Sequence, residues 1–313
     1  MKNNKVYVLL LSTTLAYILI LFVLNLAKPI SKDKDVAYII NSGLKLLEND
    51  SLSFNAEENN KENVLLAKEQ FEKAYNLYPN EPYMKYCAGL LNFCTGNNDK
   101  AKEILGDNYI SPECSFIQSE ICLKKNDTLT LTKILSTTIE NKPDFIESEY
   151  FQNLIKNDSI ICKNAVSMAK NNLLNKLSNN NEAQTMAKLG KIYLSECNFD
   201  EAQLYFNKTI ELLPNLNRPY FYLAFINLAN GDTINFERNI NIAEYLDSSD
   251  PLIPAIKRYK QGKQQLNNSS IIFKLPFRFE FTYGIKFRKN AIIIKEINYI
   301  VKPKFEYFIK YFN

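Results

Sequence analysis

The chain contains no histidine and no tryptophan. The first absence removes the side chain that most often serves as a general base or metal ligand near neutral pH. A serine or cysteine nucleophile would have no imidazole to activate it. Glycine and proline are scarce, at 8 and 11 residues in 313, so long regular elements are expected, and no glycine-rich phosphate-cradling loop is found. Acidic residues are scattered over the expected helix surfaces rather than gathered. No catalytic residue, no cofactor and no metal is therefore expected, and the chain does not read as an enzyme. The 6 cysteines, Cys87, Cys94, Cys114, Cys122, Cys162 and Cys197, form no CxxC pair and no metal-ligand spacing. They read as buried small hydrophobes, with disulfides between neighbouring elements left open if the domain lies outside the cytoplasm.

What is present is apolar and helical. A hydrophobic fraction of 46% can furnish a sizeable core in one large domain or two small ones. The formal net charge is only +4, yet it is uneven: from Ala255 onward about 13 basic residues face about 3 acidic ones, an asymmetry that points to an anionic partner or to a well-solvated tail.

Three segments are expected, at 1–34, 35–266 and 267–313. In the first, Val6 to Ala27 is an uncharged apolar run between Lys2 and Lys5 on one side and Lys28, Lys32 and Lys34 on the other. At about 1.5 Å per residue it spans a hydrocarbon core near 30 Å. Asn25-Leu26-Ala27 supplies only half of a cleavage site, so an uncleaved single-pass anchor is expected. The short basic head favours a cytoplasmic N-terminus and an extracytoplasmic body.

The second segment is organised around Glu182 to Pro214, which reads as two amphipathic helices joined by a tight turn. Small residues at Gly190 and Ala202 permit close helix approach, and Leu189, Tyr193, Phe206 and Leu213 supply apolar bulk. With Thr209 and Pro214 these offsets resemble one tetratricopeptide (TPR) repeat, whose period is about 34 residues. Thr209 departs from that family's usual alanine. The same offsets recur at Ala67, Phe71, Ala74 and Pro79, preceded by a stripe from Val36 to Leu47 and an enlarged polar loop at Glu48 to Glu62. They recur again from Pro82 to Leu105 and from Arg218 to Leu246, where Phe236 stands in place of a small residue. Between Asp107 and Asn181 the register is lost, but four helices are expected there as two degenerate repeats. Asp250-Pro251 opens a polar helix, Leu252 to Leu266, suited to capping a solenoid.

The tail changes period. Phe277, Phe279, Phe281, Tyr283, Ile285 and Phe287 alternate with polar residues or glycine, the mark of a half-buried strand. Lys289-Asn290 turns the chain into a second β-rich run, Ala291 to Val301. The expected fold is thus all-α: a TPR-like helical-hairpin solenoid of about six hairpins, with an N-terminal transmembrane helix and a C-terminal β-hairpin.

In the TPR family the first helix of each repeat lines a concave groove. The resemblance places Tyr83, Tyr86, Leu90 and Phe93 there, then Ala187, Lys191 and Leu194, then Phe221, Phe225 and Leu228. Such a groove would take an amphipathic or extended protein segment. A membrane-anchored scaffold or adaptor in a cell-envelope assembly is expected on that basis. The alternative is a binder of anionic lipid or glycan through Arg278, Lys286, Arg288 and Lys289. Nucleic acid is not an expected partner.

Overall fold

The computed structural model describes residues 32–47, 50–53, 55–180, 182–250, 252–254, 256–257, 260, 292–294 and 299–301. Helices come in pairs along the chain: α1 (Lys32–Leu46) with α2 (Glu62–Leu77), α3 (Pro82–Cys94) with α4 (Asn98–Leu105), and α5 (Pro112–Lys124) with α6 (Thr128–Asn141). A 3-10 turn at Pro143–Glu147 then leads to α7 (Glu149–Asn157) and α8 (Ser159–Asn179), followed by α9 (Ala183–Ser195) with α10 (Phe199–Leu212) and α11 (Asn217–Ala229) with α12 (Thr233–Leu246). Each hairpin packs against the next, and the hairpin array is TPR-like.

Four of the hairpins turn on one shared joint. The first helix ends on a residue in the left-handed region, Gly96 (φ 83°), Asn126 (φ 54°), Cys197 (φ 59°) or Gly231 (φ 79°). The next residue is Asn97, Asp127, Asn198 or Asp232, and its N–H donates back to the carbonyl of Asn92, Cys122, Tyr193 or Asn227 at 2.8–2.9 Å. This is the Schellman closure, which satisfies carbonyls that a helix end would leave unpaired. The same residue serves as N-cap of the second helix. Asp127, Asn198 and Asp232 accept through their side chains from the N–H groups of Thr130, Glu201 and Asn235, as short polar side chains do at this position.

Within hairpins, glycines admit a large neighbour. A Cβ on Gly190 would lie 2.8 Å from Phe206 Cε1, one on Gly89 would lie 2.8 Å from Leu105, and one on Gly43 would lie 2.9 Å from Phe71. Three buried clusters follow the array, running from Val36 to Ile121, from Cys122 to Ile192, and from Leu194 to Ile256. Phe236 is accommodated as core: it is buried beside Ile253 and Ile256, and Lys260 Nζ lies 4.8 Å from its ring centroid. All six cysteines are free thiols, and only Cys197 is exposed.

The expected fold needs two corrections. First, no helix among the described residues is long and apolar enough to cross a membrane. The single-pass membrane protein with an extracytoplasmic body is therefore not carried forward, and Val6 to Ala27 lies outside the described residues. Second, the chain is helical as expected, but the expected C-terminal hairpin of 277–288 with 291–301 is not formed. A small sheet has the order β1 (Ser51–Leu52), β2 (Ile292–Ile294), β3 (Tyr299–Val301). β1 is parallel to β2, and β2 is antiparallel to β3. Both β2 and β3 belong to the second β-rich run, Ala291 to Val301. The run from Phe277 to Arg288 lies outside the described residues.

Candidate protein interface

The eight residues expected to line the groove are largely core. Tyr86, Leu90 and Phe93 are buried in the first cluster, with Tyr83 packed against it half-buried. Leu194, Phe221 and Phe225 are buried in the third cluster. The structure therefore gathers these residues into two separate groups. Phe93 also carries Lys124 Nζ over its ring, 4.1 Å from the centroid. Of the remaining family positions, Ala187 is half-buried and Leu228 is buried.

Lys191, expected in the groove, is held by the chain's own groups. Its Nζ lies 2.9 Å from Glu147 Oε1 and 3.2 Å from Asp144 Oδ1, both on the 3-10 turn Pro143–Glu147, and 4.6 Å from the centroid of Tyr222. Only 7% of the lysine side chain and 8% of the glutamate side chain are exposed. Burial alone would push the lysine pKa down. Tyr222, Glu147 and Asp144 outweigh it and hold the ammonium above its ordinary value, so it stays charged. Burial raises the Tyr222 phenol despite Lys191. The chain's own irregular turn thus sits against α9. Arg278, Lys286, Arg288 and Lys289 lie outside the described residues.

A second surface escaped the sequence reading. Two residues after the N-cap of three second helices stands a large apolar side chain on the outside: Leu129 on α6, Ile160 on α8 and Ile234 on α12, exposed by 83%, 69% and 82%. Their caps are Asp127, Asp158 and Asp232. The equivalent residues of α4 and α10 are the exposed Asp99 and Asp200. α6 and α8 pack directly on each other and run the same way, Glu140 near the end of α6 pairing with Lys176 near the end of α8, so Leu129 and Ile160 both stand at the opposite, N-terminal end of neighbouring helices. The signal in the sequence is Asp-Ser/Thr-Leu/Ile, in which the last residue falls off the buried stripe (Leu131 and Leu135 in α6). Single exposed leucines are ordinary, but recurrence at one structural position is a pattern.

No family model matches the sequence, and no curated protein matches it. Among solved structures, the crystal structure of the APC/C hetero-tetramer Cut9-Hcn1 matches at 13% identity with a TM-score of 0.31, covering 73% of this chain. The match spans 46% of that chain, less than half its length.

Proposed function

We propose that this protein is a scaffold that holds protein partners, and that the edge carrying Leu129, Ile160 and Ile234 is a contact surface. The observation that supports this is the recurrence of a solvent-facing leucine or isoleucine at the same position of three second helices. A helix that keeps a large apolar residue in water gains nothing in folding from it, whereas burying it against a partner contributes roughly 1.5–3 kcal/mol. The array presents such residues on rigid, capped helix starts, which lowers the ordering cost of association. The partner surface would be apolar, with cationic groups opposite Asp200. The groove is the less favoured surface because, of its eight expected residues, Tyr83 alone is half-buried and the others are core.

The test is chemical crosslinking in the source cells, followed by capture of the tagged full chain. Leu129→Glu/Ile160→Glu/Ile234→Glu is expected to retain helical circular dichroism and to lose the proteins captured by the unmodified chain. Capture of the same set at the same yield would overturn the assignment.

A further inference from the structure

Five second helices open from an Asp or Asn cap, and three of them differ from the other two at three residues together. Asp127, Asp158 and Asp232 are followed by the hydroxyl residues Thr128, Ser159 and Thr233, and then by the exposed Leu129, Ile160 and Ile234. Asn97 and Asn198 are followed instead by Asn98 and Phe199, and then by Asp99 and Asp200. Asparagine and aspartate cap a helix about equally well, and neither requires a hydroxyl next or an apolar residue after that. Helix formation therefore leaves the joint occurrence of carboxylate, hydroxyl and apolar side chain unexplained. Thr128, Ser159 and Thr233 are exposed, and their side-chain oxygens have no hydrogen-bond partner among the described residues. The carboxylates before them are committed, accepting from the N–H groups of Thr130 at 3.0 Å, Ile161 at 3.2 Å and Asn235 at 3.0 Å. Each helix start thus presents a free hydroxyl between an anionic group and an apolar one.

We propose that Thr128, Ser159 and Thr233 are acceptors for O-glycosylation by a transferase that reads the carboxylate before the hydroxyl and the apolar side chain after it. Transfer forms a bond from the hydroxyl oxygen to the anomeric carbon of the sugar. It breaks the bond from that carbon to the diphosphate of a nucleotide- or lipid-linked donor, and the hydroxyl proton passes to a base of the transferase. A sugar fits this place better than a phosphate. Hydrogen bonds from Thr130 and Asn235 hold Asp127 and Asp232 ionised, so a phosphoryl group one residue on would meet a like charge whose N–H donor is already taken. A neutral sugar leaves cap and charge as they are. Two of the stretches also read Asn-Asp-Ser/Thr, the pattern of an asparagine acceptor. Gly231 stands at that place in the third, so the hydroxyl is the group common to all three. The tripeptide occurs once more as Asp50-Ser51-Leu52, where Leu52 is fully buried in the first core cluster and Lys61 Nζ lies 2.7 Å from Asp50. That copy is closed in the folded chain. The inference rests on the same exposed edge as the contact surface, but not on a stable partner there. A sugar on Thr128 would stand beside Leu129 and limit how much of the edge a protein can bury.

The test is peptide mass spectrometry of the full chain purified from its source cells, with fragmentation that leaves a sugar on its residue. A glycosyl mass increment is expected on Thr128, Ser159 and Thr233, and none on Ser51. Asp127→Asn and Leu129→Ser each keep a capped helix and the acceptor, and each is expected to lose the increment at Thr128. Ser159 and Thr233 of the same molecules should keep theirs, which reports that the variant folded and met the enzyme. A chain without increments, a phosphoryl increment at these residues, sugar on Asn126 in place of Thr128, equal occupancy at Ser51, or undiminished occupancy at Thr128 in both variants would overturn the proposal. Thr128→Val/Ser159→Ala/Thr233→Val removes the acceptors and keeps Leu129, Ile160 and Ile234. Capture of protein partners by that variant separates failure of the modification from failure of the contact surface.

Discussion

Lys191 Nζ and Glu147 Oε1 stand 2.9 Å apart with both side chains more than nine-tenths buried, so a charge pair joins the irregular turn Pro143–Glu147 to α9. Asp144 and the Tyr222 ring complete the lysine's surroundings. Removing the lysine alone strands a carboxylate in the core. Lys191→Met is therefore expected to destabilise the protein by about 3 kcal/mol, the scale for breaking one side of a buried pair. Lys191→Met/Glu147→Leu should recover most of that loss. Urea denaturation of the three proteins measures the difference.

Gly190 is required by the ring that faces it. A methyl group there would lie 2.8 Å from Phe206 Cε1, and the overpacking cost of about 1–3 kcal/mol outweighs the gain of about 1 kcal/mol in helix propensity. Gly190→Ala should lower the unfolding midpoint. In a Phe206→Leu background the same change should cost less or stabilise, since the ring is gone.

Cys197 occupies the joint position that glycine holds at Gly96 and Gly231, with φ of 59°. A left-handed non-glycine residue costs roughly 1–2 kcal/mol, so Cys197→Gly is expected to stabilise by about 1 kcal/mol. Cys197 is also the exposed thiol, whereas burial pushes Cys114 up to about 12 and Cys162 up to about 11. A maleimide added to the native protein should label Cys197 alone, and Cys197→Gly should abolish labelling. Mass spectrometry of the native and denatured protein distinguishes the sites.

The joint aspartates make stability depend on pH. Asp127 is held below its ordinary pKa by the hydrogen bonds it accepts from Thr130, and Asp232 by those it accepts from Asn235. A folded pKa below the unfolded one stabilises above the unfolded value, and that contribution is lost as pH falls through the folded value. Asparagine caps without titrating. Asp127→Asn/Asp232→Asn should therefore lose less thermal stability than the unmodified protein between about pH 5 and about pH 2, as read by melting curves at each pH.

The hairpins were legible because their signals are local. Gly190 and Phe206 meet as their spacing requires, and Asp127, Asn198 and Asp232 cap the helices that follow them. What was not legible depends on contacts across distance. The approach of Asp144 and Glu147 to Lys191 requires knowing that a degenerate repeat folds a 3-10 turn onto the next first helix. Nothing in the composition of the loop around Asn59 says that residues 292–294 will pair with it. The apolar positions Tyr86, Leu90 and Phe225 read equally well as groove or core, and only packing separates the two.

The scaffold reading is tested most directly by placing a photo-crosslinking phenylalanine analogue at single positions of the full chain in its own cells. With the analogue at Leu129 and at Ile160, neighbours on packed helices, the account predicts discrete adducts to the same protein. Adducts from Tyr83 alone, with none from either edge position, would contradict it and return the contact surface to the groove.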